Sequence, residues 1–323
     1  MWRYVVKRLI ITFFLLFGIT FIVYAIMEMT PGDPVMIKLG SDYTPELYEA
    51  TKIKMGLDQP FLIRYFKFIY DVFFHFDFGQ SYLGRSIVKE ILARAPKTFL
   101  ISISSILAAT LLGIPLGIYS ALHQNTWKDN AAMVFALLGV SMPDFWVGLL
   151  LTMLFSLKLG WLPATGLKGP SYLVLPLVTC SFGTLANIAR MTRSSMLEVI
   201  RQDYITTAKA KGQTKSVVIF KHALKNALIP IITVVGTQAS YMMGGVMVVE
   251  TVFSIGGMGT LMMSSITSLD YPMVLSSVLF ISIFSCLIIL LTDIAYAFVD
   301  PRIRSEYQTV ARKKKTAGKE SVS

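Results

Sequence analysis

The sequence predicts an all-α polytopic membrane protein with six transmembrane helices and both termini in the cytoplasm. Three observations carry this. Hydrophobic residues make up 54% of the 323 and charged ones 15%, against about a quarter charged in an ordinary soluble domain. The apolar residues gather into six runs, each close to the ~20 residues that helix needs to cross a bilayer. Lysine and arginine in the short segments between the runs collect on one side, which sets orientation.

The runs follow in order. Leu9–Met27 is 19 uncharged residues behind a basic start at Arg3, Lys7 and Arg8. It exceeds the 7–15 residues of a signal-peptide core and no small-x-small cleavage site follows, so it reads as a retained helix. Phe99–Leu122, Ala131–Leu157, Tyr172–Ala189, Ala227–Val249 and Met273–Phe298 complete the set, the third interrupted by Pro143 and Asp144. Backbone groups in lipid must bond within their own segment, which makes helices of these runs. Barrel strands would need ~10-residue alternating segments, and there are none.

With the N-terminus inside, cytoplasmic segments 1–8, 123–130, 190–226 and 299–323 hold three, one, eight and seven Lys/Arg, 19 of the 30. The net charge of +11 therefore flanks membrane helices and does not form a nucleic-acid surface. Residues 28–98 carry nine basic and nine acidic residues and are too polar to span. Their aromatic middle, from Tyr65 to Phe78, reads as an interfacial piece, and Trp161 stands where an interfacial tryptophan is expected. The tail from Arg312 is basic enough to attract anionic lipid headgroups. Three parts result: residues 1–98, a helix with a large extracytoplasmic segment; 99–300, a five-helix core; and 301–323, a basic tail.

Catalytic patterns are missing. No Gly-x-x-x-x-Gly-Lys-[Ser/Thr] phosphate loop, His-Glu-x-x-His or Cys-x-x-Cys occurs, and His75, His123 and His222 are far apart. Cys180 and Cys286 lie inside apolar runs and give no disulfide framework. An intramembrane hydrolase built on Asp144 and Asp293 would lack any recognisable pairing. An ion-coupled transporter should show repeats and paired broken helices; no internal repeat is visible.

The informative stretch is 190–226, where eight basic residues face only Glu198 and Asp203. Asp203 is a candidate N-cap for Tyr204–Lys211, and Gly212 the expected left-handed terminator. Thr214 then caps a second helix ending at Lys225, with Val217, Val218, Phe220 and Leu224 among lysines. Such a hairpin is suited to being gripped by another protein.

The stretch Asp203–Gly212, followed by His222-Ala223-Leu224-Lys225-Asn226-Ala227-Leu228-Ile229-Pro230, resembles the EAA loop of ABC importer permeases. More narrowly, the chain is similar to the B-type permease subunit of the oligopeptide/dipeptide/nickel family. The similarity covers nearly the whole chain. It includes Gly32-Asp33-Pro34, Met55–Pro60, Asp77–Ser81, Gly113–Gly117, Pro143–Trp146, Leu162–Gly166, Glu250–Phe253 and Asp300–Arg304. Thr206-Thr207-Ala208 replaces the name-giving Glu-Ala-Ala, and Phe253-Ser254-Ile255-Gly256-Gly257 replaces the usual Phe-x-x-Pro-Gly.

The resemblance implies a type I ABC importer permease fold in a bacterial or archaeal cytoplasmic membrane. It implies a C-type sister permease, two cytoplasmic ABC ATPases and an extracytoplasmic substrate-binding protein. ATP and magnesium would be held by the ATPases, leaving no cofactor or metal in this chain. The loop residues expected to couple to an ATPase are Asp203, Thr207, Ala208, Ala210, Gly212, His222, Leu224 and Asn226. Peptide is the expected cargo, with nickel chelates or other metallophores as the alternative.

Four polar residues in apolar runs are candidates for the translocation pathway: Asp144, Asn187, Gln238 and Tyr241. A carboxylate in mid-helix costs roughly 2.5–3.5 kcal/mol on insertion scales, so Asp144 either faces water and a substrate amine or has a buried partner. The other three can line a pathway or hold helices together. Asp293, near the end of the last run, is expected to pair with a basic group.

Overall fold

The computed structural model describes residues 2–40 and 43–299, so the basic tail and Asp300–Arg304 lie outside the described residues. Among these residues every regular element is helical, with one isolated bridge between Gln80 and Ser86. Helices α1 (Trp2–Met29), α5 (Ile87–Leu122), α8 (Pro170–Ile200), α10 (Leu224–Val252) and α12 (Tyr271–Val299) are long and apolar enough to span a membrane.

The third expected span is not one straight helix. It consists of α6 (Trp127–Ser141) and α7 (Asp144–Leu151, continued by a π-helical stretch Thr152–Lys158), bent by 104° at the break. Pro143 has no N–H to continue the ladder and biases its predecessor out of the α region; Met142 is accordingly extended at ψ 126°. Asp144 therefore opens α7 and does not sit in mid-helix.

The core is built on α5 against α8. The Gly113–Gly117 motif is its contact: a Cβ on Gly113 would lie 3.0 Å from the Leu185 carbonyl oxygen, and one on Gly117 2.5 Å from that of Ala189. Only glycine lets the backbones come so close. Helix α10 packs on α8 and α12, and α1 packs on α12 and on α4 (Phe61–His75). Arg8 at the start of α1 pairs with Asp293 near the end of α12 at 2.9 Å, the basic partner expected for that aspartate.

The described residues of 28–98 form three further helices before α5: α2 (Pro34–Leu39), α3 (Pro45–Lys54) and α4 (Phe61–His75). Asp33 caps α2 through the Val35 N–H at 2.7 Å and accepts the Tyr48 hydroxyl at 2.7 Å, which pushes the Tyr48 phenol up to about 12. Helix α4 buries Tyr65, Ile69 and Val72 and exposes Leu62, Phe66, Tyr70 and Phe74. The Tyr65 hydroxyl reaches the Phe17 carbonyl at 2.8 Å, so α4 is fastened to α1 along one face with aromatics on the other. A cavity of about 420 Å³ lies between this segment and the start of α12, lined by Arg64, Lys67, Asp77, Tyr82 and Tyr271 among others.

Candidate functional site: the hairpin between α8 and α10

Helix α8 stops at Ile200, and after Arg201 and Gln202 the chain forms α9 (Asp203–Ala210). Gln202 occupies the N-cap position, so Asp203 is the first helical residue and makes no cap bond. It still places negative charge at the positive end of the helix dipole. Gly212 turns the chain at φ +75°, the left-handed conformation expected of it. No separate second helix ends at Lys225. Residues from Lys215 wind through a π-helical stretch, Val217–Ala223, directly into α10. The hairpin's second arm is thus the root of a membrane span, and Thr214 contributes its carbonyl to the Val218 N–H at 3.0 Å.

Spacing divides the hairpin into two faces. Ile205, Ala208, Val218, Ala223 and Ala227 are buried with Met196 of α8 and Ile118 and Ala121 of α5. Outward lie Asp203, Thr207, Ala210 and Gly212, together with Tyr204, Val217 and Phe220, the last 60% exposed. Of the eight residues expected to couple to a partner, Ala208 is buried in this cluster and Leu224 is half-buried against it, so both pack the hairpin's inner side. His222 is half-buried, and its carbonyl accepts the Asn226 amide at 2.8 Å. Burial lifts the Tyr204 phenol, and the Asn226 side chain nearby partly offsets it.

The pathway candidates sit on three helices. Asp144 is half-buried beside α8: a Cβ on Gly183 would lie 3.8 Å from its Oδ1. Asn187 follows one turn along on the same face of α8. Gln238 is half-buried on α10 and Tyr241 is 67% exposed. None of the four hydrogen-bonds another.

Three polar constellations carry more structure than sequence reasoning gave them. Asp129 of α6, its side chain 2% exposed, accepts Nε and Nη2 of Arg193 from α8 at 2.6 and 2.7 Å. It also accepts the Ser120 hydroxyl from α5 and the Asn125 N–H at 3.1 Å. Glu250, fully buried, takes the Thr98 hydroxyl on one oxygen and the Gly259 N–H at 2.7 Å on the other. It thereby straps α5, α10 and α11 (Met258–Thr267) together. Gly256 in the adjoining turn has φ +65°, a value proline cannot reach, so this turn is shaped differently from a Pro-Gly one. Asp270 accepts the Tyr82 N–H at 3.0 Å. Among the described residues no group of three or more His, Cys, Asp or Glu could hold a metal.

Comparison with known proteins agrees with this architecture. Residues 113–305 match the model of the binding-protein-dependent transport system inner membrane component family, and residues 1–102 match that family's N-terminal membrane component. The chain is 37% identical to the dipeptide transport system permease protein DppB of Alkalihalophilus pseudofirmus, over 94% of this chain and all of that protein. It is 36% identical to the glutathione transport system permease protein GsiC of Escherichia coli K12, over 94% and 99%. The fold is similar to a chain of the inward-facing MetNI methionine ABC transporter, with TM-score 0.56 at 18% identity, covering 66% of this chain and 98% of that one. With five long apolar helices and a bent pair among the described residues and family matches over both halves, the chain belongs to the binding-protein-dependent transport system inner membrane components, the multi-pass permeases of that class.

Proposed function

We propose that this chain is the B-type pore-forming subunit of an ATP-driven importer that carries short peptides. In this reading it pairs with a C-type sister permease, receives cargo from an extracytoplasmic binding protein, and is driven by two cytoplasmic ATPases that hold ATP and magnesium. The carrying observation is the α9 hairpin. Its inner face is locked onto α5 and α8 while Tyr204, Val217 and Phe220 stand exposed beside basic residues. A surface like this transmits force only if a partner grips it, and the sequence has no nucleotide-phosphate loop of its own. Peptide cargo is supported by the relatives named for dipeptide and glutathione transport.

Orientation belongs to the same proposal. The hairpin, the start of α1 and the end of α12 lie in the cytoplasm; residues 28–98 face outward. The test is the complete transporter in proteoliposomes, with peptide-loaded binding protein outside. ATP hydrolysis should rise with the loaded binding protein, and labelled dipeptide should accumulate inside. Uptake that persists without ATPases, driven by an ion gradient, would overturn the reading.

A further inference from the structure

A push on the α9 hairpin has to reach the α6–α7 bend, and α6 offers a rigid connection. Asp129 sits in the first turn of α6 and receives both forks of Arg193, which lies seven residues, about two turns, before α8 ends at Ile200. The two helices run antiparallel from there. A Cβ on Gly139 would lie 3.2 Å from the Phe182 carbonyl oxygen, and one on Gly183 3.2 Å from that of Gly139. From Asp129, α6 runs 12 residues and about 18 Å of helix rise to Ser141, and Asp144 opens α7 just beyond the break. Helix α6 is thus fixed to α8 by an ion pair at the hairpin end and by close backbone packing at the bend.

We propose that the Asp129–Arg193 pair is a positioning clamp that makes α6 and α8 move as one body, so that displacement of the hairpin arrives at the Asp144 bend. This rests on the hairpin being the site gripped by the ATPases. The choice of residues supports it. A buried ion pair returns little net stability after desolvation, and an apolar pair of similar volume often does as well or better. What the fork adds is geometry: two parallel bonds fix separation and register, where apolar contacts permit packed helices to slide. Ser120 on the same carboxylate brings the end of α5 into the unit.

The experiment uses the complete reconstituted transporter. Asp129→Leu/Arg193→Met keeps volume and removes the fork. It is expected to assemble and hydrolyse ATP at close to the unmodified rate, while peptide imported per ATP falls about tenfold, within the usual span of coupling energies. Unchanged import per ATP in that variant would overturn the clamp, because a merely structural pair is replaced by apolar packing without loss of coupling. A second measurement leaves Asp129 and Arg193 in place. Spin labels at Val134 on α6 and Arg190 on α8, both exposed, should keep one separation in nucleotide-free and ATP-trapped states, and a change between the states would equally overturn the proposal. Failure of the hairpin reading shows separately, as normal ATPase association and uptake with Gly212→Val.

Discussion

Gly212 holds φ +75° with nothing within 4 Å of the position a Cβ would take, so a substitution there meets backbone strain and no clash. A β-branched residue in this region costs on the order of 1–3 kcal/mol, whereas asparagine tolerates it. Gly212→Val should lower co-purification of the ATPases and peptide uptake several-fold with the permease still inserted, and Gly212→Asn should retain most of both. Equal behaviour of the two variants would remove backbone conformation as the cause. Asp144 is the second residue where a single atom matters. Asp144→Asn keeps shape and removes charge, so a side chain facing the pathway predicts altered transport with normal pairing to the sister permease. Loss of that pairing would make Asp144 structural. Gly212 was legible in the sequence because glycine after a capped helix has a specific conformational meaning. Asp203 was misplaced by one position, because Gln202 and Asp203 can both start a helix and the spacing does not choose between them.

At the scale of elements, hydropathy reports what is apolar and says little about what touches what. All six runs are helical among the described residues; five are long and apolar enough to span, and the third is a bent pair because a proline interrupts it. The Asp129–Arg193, Thr98–Glu250 and Tyr82–Asp270 contacts join residues 64, 152 and 188 positions apart, and no local pattern signals them. Ala208 and Leu224 belong to the expected coupling residues, but helical spacing sets both against the cluster that Met196 of α8 shares with Ile118 and Ala121 of α5. The Glu250 strap yields a stability prediction. Glu250→Ala leaves the Thr98 hydroxyl and the Gly259 N–H buried without acceptors, each worth about 1–3 kcal/mol. The detergent-solubilised variant should unfold several degrees lower than the unmodified protein, whereas Glu250→Gln, which keeps an acceptor for one of the two donors, should lose less. An unshifted unfolding temperature for Glu250→Ala would mean that the strap adds no stability.

Taken whole, the molecule has two unequal ends. The hairpin, Asp129 and the Arg8–Asp293 pair gather at one, and α2, α3 and the start of α12 at the other. The proposed orientation makes a labelling prediction. In a background without Cys180 and Cys286, Glu46→Cys should react with an impermeant maleimide on intact cells, and Ser216→Cys only after permeabilisation; the reverse pattern would invert the topology. The bend between α6 and α7 has a further consequence. Each arm is about 22 Å long; the elbow between them is open at Ser141, Pro143, Phe145 and Trp146, and α7 begins with no side chain capping its first N–H groups. Hydrocarbon cannot satisfy such amides. If α6 and α7 are buried in the bilayer, the elbow's amides need water or a neighbouring chain to bond to. In hydrogen–deuterium exchange the amides of Asp144 and Phe145 should exchange well ahead of those in the middle of α5 and α8, and should slow when the sister subunit or cargo closes over them.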